Sequence, residues 1–222
     1  MTEPSPQLVP VCFVSDLHLF SHRSRGHLID EEIIAAARRS RVCVLGGDIF
    51  DFKWSAHTSH EASLVAAVEW LCRLIETVPE CQFHFVLGNH DDLPELLAEL
   101  PGLATRYANF YWDRFSHARR HRLAHGLYGL LVRAHLHRLI PHAVYPPAIV
   151  ADRLLKYLRE VGHGPEEGVR QVCFGHPHRP LLSYHRGGLE FHNGGAPIGR
   201  AQYRIIEVQV MTHTPWDEAS AE

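Results

Sequence analysis

The sequence predicts an α/β fold arranged in two sheets, and three features predict it. Short apolar runs rich in β-branched and aromatic residues recur at residues 11–14, 42–45, 83–87 and 172–174, each bounded by glycine or a polar residue. Such runs read as buried strands. Helical patterns separate the first three, while the C-terminal part carries strands with few helical intervals, as a layered α/β sandwich requires. Polar side chains able to bind metal stand directly after all four runs, where open α/β sheets place their ligands.

The elements follow in order. After the first strand, residues 28–39 carry a helical pattern. Thr58 with Glu61 three residues on makes a capping box for a helix running to Val78, where Pro79 forces its end. Asp92 with Glu95, and Pro94 in the first turn, starts a third helix. Residues 127–140 then form a helix apolar around most of its circumference, through Leu127, Tyr128, Leu130, Leu131, Val132, Leu136, Leu139 and Ile140. Pro141, Pro146 and Pro147 break it, and Val150, Leu154, Leu155, Leu158 and Val161 mark a second, amphipathic helix. A helix apolar nearly all round buries both faces or binds something apolar. The insertion over 127–165 is therefore either two helices packed on a sheet or a helical cap over the site. Strands at 171–174, 180–185, 189–192 and 203–210 complete the fold, with Arg186-Gly187-Gly188 as a hairpin turn. The acidic tail from 212 to 222 is expected to fray.

At 222 residues the chain fits a single domain spanning 1–222. A net charge of −3 argues against bulk binding to nucleic acid. Arg114, Arg119, Arg120, Arg122, Arg133 and Arg138 nevertheless gather positive charge that could meet a nucleotide diphosphate or an anionic membrane surface. The N-terminus has neither a cationic start nor an apolar stretch, so no secretory leader is expected, and no membrane span is apparent. Cys12, Cys43, Cys72, Cys81 and Cys173 are odd in number and lack C-x-x-C spacing, which points to reduced thiols in a cytoplasmic protein. Of the 19 histidines, His22, His57, His60, His163 and His185 lie in polar stretches and read as surface residues.

Five segments carry the chemistry: Asp16-Leu17-His18, Gly46-Gly47-Asp48, Gly88-Asn89-His90-Asp91, His125-Gly126 and Gly175-His176-Pro177-His178. Carboxylate, imidazole and amide oxygen together suit a borderline divalent ion such as Mn²⁺, Fe²⁺ or Zn²⁺, whereas a closed structural zinc site would favour thiolates. Seven donors exceed what one ion takes, so a two-metal centre with a bridging carboxylate accommodates them.

In this order the segments resemble the calcineurin-like metallophosphoesterases, over about Val11 to Val210. The resemblance implies a two-sheet sandwich with α-β-β-α layers. It assigns one metal, with Mn²⁺ first expected, to Asp16, His18, Asp48 and His178, and a second to Asp48, Asn89, His125 and His176, with Asp48 bridging. It further implies that metal-activated water cleaves a phosphodiester or pyrophosphate bond, that His90 stabilises or protonates the leaving oxygen, that Asp91 orients its ring, and that Asn89 also donates to the phosphate. The longer strings around Asp16, Asp48 and His176 are most similar to the UDP-2,3-diacylglucosamine pyrophosphatases of lipid A synthesis. They depart at Leu127, Pro177 and residues 192–196. A UDP-linked lipid and a peripheral contact with the cytoplasmic face of a membrane are the corresponding expectations. The alternatives are a nucleotide or smaller phosphoester as substrate, and a metal-free scaffold of the same fold.

Overall fold

The computed structural model describes residues 7–113 and 146–212. Four parallel strands, β1 (Gln7–Val14), β2 (Val42–Gly46), β3 (Gln82–Val86) and β4 (Phe110–Asp113), alternate with α1 (Asp30–Arg39), α2 (His60–Thr77) and α3 (Pro94–Arg106). The last strand, β8 (Ile206–Thr212), returns to pair antiparallel with β1, giving the order β4-β3-β2-β1-β8.

Side chains two apart on a strand share a face, and the register stacks them in rows. Cys12, Cys43, Phe83 and Phe110 are matched across one row, and Val14, Leu45 and Phe85 across the next. All seven are buried in one core with Ile33 and Ala37 of α1, Leu71 and Ile75 of α2, and Leu96 and Leu100 of α3. Three of the five reduced cysteines, Cys12, Cys43 and Cys81, are thus apolar filling.

Burial outweighs local signals at the helix starts. A cap is worth about 1 kcal/mol, whereas each fully buried large apolar side chain contributes about 1.5–3 kcal/mol, and α2 alone buries Trp70, Leu71, Leu74 and Ile75. The cap of α2 is Ser59, whose hydroxyl accepts from the Ala62 N–H, one residue after the expected Thr58. At α3 the residue before the helix is Leu93 without a side-chain cap, so Asp92 does not serve there, although Pro94 holds the first turn as expected.

A second sheet, in the order β5-β7-β6, is built from β5 (Gln171–Cys173), β6 (Leu181–Arg186) and β7 (Leu189–Asn193). Gly187 and Gly188 have φ of 58° and 85°, the pair of left-handed residues a two-residue hairpin needs. α4 (Pro147–Glu160) lays Ala151 and Leu155 on Leu189 and Phe191 of this sheet. The result is a mixed α/β, two-sheet sandwich. The expected helix at 127–140, the arginines at 114–138 and the tail beyond 212 lie outside the described residues. No helix among those described is long and apolar enough to cross a membrane.

Candidate metal centre

The polar segments after β1 and β2 run side by side beyond the sheet. Asp16 N–H donates to the Gly47 carbonyl at 2.9 Å, His18 N–H to the Asp48 carbonyl at 3.0 Å and Leu19 N–H to the Ile49 carbonyl at 2.8 Å. The ladder holds an unusual backbone. Seven described non-glycine residues have positive φ, and five of them are expected ligands: Asp16, His18, Asp48, His176 and His178. Each left-handed residue costs about 1 kcal/mol or more, so only the surrounding hydrogen bonds keep it there.

Glycines make room where these loops touch. A Cβ on Gly88 would sit 2.2 Å from Asp48 Oδ1 and 2.3 Å from its backbone nitrogen, and one on Gly175 would sit 2.7 Å from Asp16 Oδ2. The Asp16 carboxylate accepts from the Ser15 hydroxyl at 2.8 Å and the His176 N–H at 2.7 Å. Asp48 Oδ1 accepts from the His90 N–H at 2.9 Å.

Side-chain donors of Asp16, His18, Asp48 and His178 all lie within 4.8 Å of one another, the first three buried. His18 Nε2 and His178 Nε2 face each other at 3.0 Å, and His178 Nε2 lies 3.4 Å from Asp16 Oδ1. Two carboxylates are thereby held away from water with no lysine or arginine among the four donors. Burial, with Asp48 adding, pushes the Asp16 carboxyl up to about 7. Burial and the rings of His18, His176 and His90 hold His178 down to about 3, which keeps its nitrogen free to donate a lone pair. Oxygen and imidazole donors converging on one point fit a divalent cation of intermediate softness.

The calcineurin-like phosphoesterase family model matches residues 9–217. The chain belongs to this family. It is a metal-dependent phosphoester hydrolase, and family membership with this donor set implies two divalent metal ions. Among solved structures, the chain is similar to a dimetal phosphatase from Danio rerio, at 13% identity and a TM-score of 0.45, covering 93% of this chain and 99% of that one. No curated protein matches the chain.

Elsewhere in this phosphoesterase centre the expected residues are distributed unevenly. Asn89 and His176 are exposed beside the cluster, and the His176 ring is not among the converging donors of the described residues. His125 lies outside the described residues. His90 stands at the rim, its ring edge-on to His18 with centroids 4.7 Å apart.

The partner of the His90 ring differs from expectation. Asp91 turns inward, accepting backbone N–H bonds from Gly88 at 2.9 Å, Ile49 at 3.3 Å and Phe50 at 2.7 Å. It straps the β3 loop to the β2 loop, and the ring is held by another residue. Asp51 does so, with Oδ1 3.2 Å from His90 Nδ1 and Oδ2 3.5 Å from His18 Nδ1. Burial alone would raise the Asp51 pKa, but the bonds to His18 and His90 outweigh it and hold the carboxyl well below the usual range. Burial would likewise lower His90, yet Asp51 first and then Asp48 raise it. The signal for Asp51 was its place three residues after Asp48 in the same strand-end loop.

Proposed function

We propose that this phosphoesterase hydrolyses a phosphodiester or pyrophosphate bond, and that its substrate is a nucleotide-linked lipid of the UDP-diacylglucosamine type. The observation that carries the reaction class is the convergence of Asp16, His18, Asp48 and His178 within 4.8 Å, with His90 held beside them by Asp51. The apolar pattern at 127–140 and the motif strings around Asp16, Asp48 and His176 support the lipid nucleotide.

Asp16, His18, Asp48 and His178 would hold one ion, and Asp48, Asn89, His125 and His176 the other, with Mn²⁺ the first candidate and Fe²⁺ or Zn²⁺ compatible. Bound ions would supply Lewis acidity at the phosphoryl oxygens and an activated water for in-line displacement. The chain's own residues do the rest. Asp51 occupies Nδ1 of His90 and so leaves Nε2 to face the leaving group. Asp51 first and then Asp48 raise the His90 pKa, which favours the protonated ring that a leaving oxygen needs. Asn89, exposed at the mouth, is in reach of solvent and of a phosphate arriving from it. Such a substrate would bring the enzyme to the cytoplasmic face of a membrane as a peripheral visitor.

The packing of α4 favours a second reading, a nucleotide or smaller phosphoester. That half of the insertion spends its apolar face on Leu189 and Phe191 and leaves less of it for acyl chains. Protein reconstituted with Mn²⁺, Fe²⁺ or Zn²⁺ and assayed on a UDP-diacylglucosamine, a UDP-sugar and bis(p-nitrophenyl) phosphate separates the two. Preference for the lipid substrate is expected. Equal turnover of the UDP-sugar selects the second reading, and inactivity on all three with every metal rejects both.

A further inference from the structure

Five arginines on the outer helices and strands are paired with acids. Arg39 pairs with Glu207 at 2.8 Å, Arg73 with Asp30 at 2.9 Å, Arg106 with Glu76 at 3.3 Å, Arg159 with Glu166 at 2.8 Å and Arg186 with Asp152 at 2.8 Å. In the loops that adjoin or bond to the ligand segments the pattern reverses. Arg23, Arg25, Arg179, Arg200 and Arg204 are exposed, and none has a side-chain partner among the described residues. Arg38 and Arg153 also lack one, but they stand on α1 and α4.

The five share one construction. Arg23 and Arg25 flank Ser24, whose hydroxyl donates to the carbonyl of Leu17, between the ligands Asp16 and His18, at 2.5 Å. Arg179 directly follows His178. Arg200 and Arg204 lie on the segment from Asn193 to Ile205, which is tied to both ligand loops. On one side Arg25 N–H donates to the Pro197 carbonyl at 2.7 Å and Gly199 N–H to the Arg23 carbonyl at 3.0 Å. On the other, Asn193 Nδ2 donates to the carbonyl of Phe174, just before Gly175-His176, at 2.7 Å. The sequence keeps these loops free of competing charge. No Asp or Glu falls within 17–29, 174–189 or 191–206, in a chain that carries 25 of them. An acidic protein has fixed unpaired guanidinium groups to the segments that present its ligands.

We propose that these arginines recognise a second anionic group of the substrate, one that is not hydrolysed. The proposal rests on the phosphoesterase reading above and narrows its substrate class to diphosphates and other esters charged on both sides of the scissile bond. Guanidinium is the group for this work, because it binds phosphate oxygens in pairs and stays charged at any working pH. A phosphate on the cleaved atom needs only the metal donors.

The test compares inhibition of bis(p-nitrophenyl) phosphate hydrolysis by uridine 5′-diphosphate and by methyl phosphate, which carries a single phosphate. In the Arg23→Ala/Arg200→Ala variant the preference for the diphosphate, read as the ratio of the two inhibition constants, is expected to fall by about tenfold, the size of a partly exposed charge-assisted contact. Arg23→Lys/Arg200→Lys should recover part of it, and Arg38→Ala/Arg153→Ala should leave it as in the wild type. An unchanged ratio in the alanine variant overturns the proposal, as does an equal fall in the helix-surface control. Loss of binding to phosphatidylglycerol vesicles with an unchanged ratio overturns it in favour of a membrane contact. If the wild type hydrolyses no phosphoester, the reaction reading fails by itself. Calorimetry of uridine 5′-diphosphate binding then decides the arginines' role by the same tenfold criterion.

Discussion

Asp51 joins two imidazoles of different purpose, meeting the Nδ1 of His90 at 3.2 Å while its other oxygen lies 3.5 Å from the Nδ1 of His18. One ring belongs to the converging donor set and the other stands at its rim, so a single carboxylate fixes the spacing between them. Asp51→Asn keeps the shape and weakens both contacts. A fall in kcat on the order of 10²-fold is expected, with the alkaline limb of the pH profile moving down, because His90 loses the main cause of its raised pKa. If the limb stays where it is, Asp51 does not act through His90. His90→Ala should cost on the order of 10²- to 10⁴-fold. Adding Asp51→Asn to it should cost far less than the product of the two, since both remove one function.

Asp48 lies in the converging donor set and anchors the His90 N–H at 2.9 Å. Asp48→Ala is expected to lose both bound metal and turnover. Elemental analysis after gel filtration checks this, and full metal content in the variant would contradict the assignment.

Gly88→Ala tests the closeness of the two loops. The added methyl would lie 2.2 Å from Asp48 Oδ1 and 2.3 Å from the Asp48 nitrogen, so backbone must move. Activity should fall more than about 10²-fold, with a lower melting temperature, because overpacking of this kind costs about 1–3 kcal/mol. Wild-type kinetics from this variant would mean that the loops are further apart than described.

The Asp16 carboxyl, raised to about 7 chiefly by burial, makes the metal-free protein sensitive to pH. An ordinary Asp titrates near 4 in the unfolded chain, at about 3.9. Between these values the folded state holds more protons on Asp16 than the unfolded state, so this group's contribution to stability falls as pH rises through the window and is constant above it. Asp16→Asn removes that dependence. With chelator present, the variant should match the wild type in urea midpoint at pH 4 and exceed it at pH 8. Parallel midpoints across the range would refute the linkage. In the wild type, metal uptake below about pH 7 should release a proton and weaken as pH falls.

Leu155 of α4 belongs to the second core with Leu189 and Phe191, and is not one of the converging donors. Leu155→Ala should lower stability by about 2–4 kcal/mol and leave kcat per folded molecule within twofold. A selective rise in KM for a lipid substrate, with an unchanged melting temperature, would instead make α4 part of the substrate surface.

Much of the centre was legible because strand ends and donors coincide in the chain. Val14, Leu45 and Leu87 are apolar, each is buried, and the ligands follow within a few residues. Positions that depend on direction rather than order were not legible. Asp91 and Asp51 are both carboxylates beside a ligand, and only the turn of each loop decides which one faces the His90 ring. Thr58 and Ser59 are adjacent hydroxyls, and the capping geometry chose the second. Tyr203 had a strand pattern, yet it bridges Gly195 in isolation, so β8 begins at Ile206.

Asp16 receives the His176 N–H and His18 meets the His178 ring across 160 residues of chain. On a ribosome adding 5–20 residues per second, roughly 10–30 s separate the two halves of that encounter. A nascent chain that has made β1 to β4 already presents Asp16, His18 and Asp48, but lacks the donors from the fifth strand's loop. The donor set is therefore completed late in synthesis, and a chain ending before Gly175 should bind metal more weakly than the full-length protein.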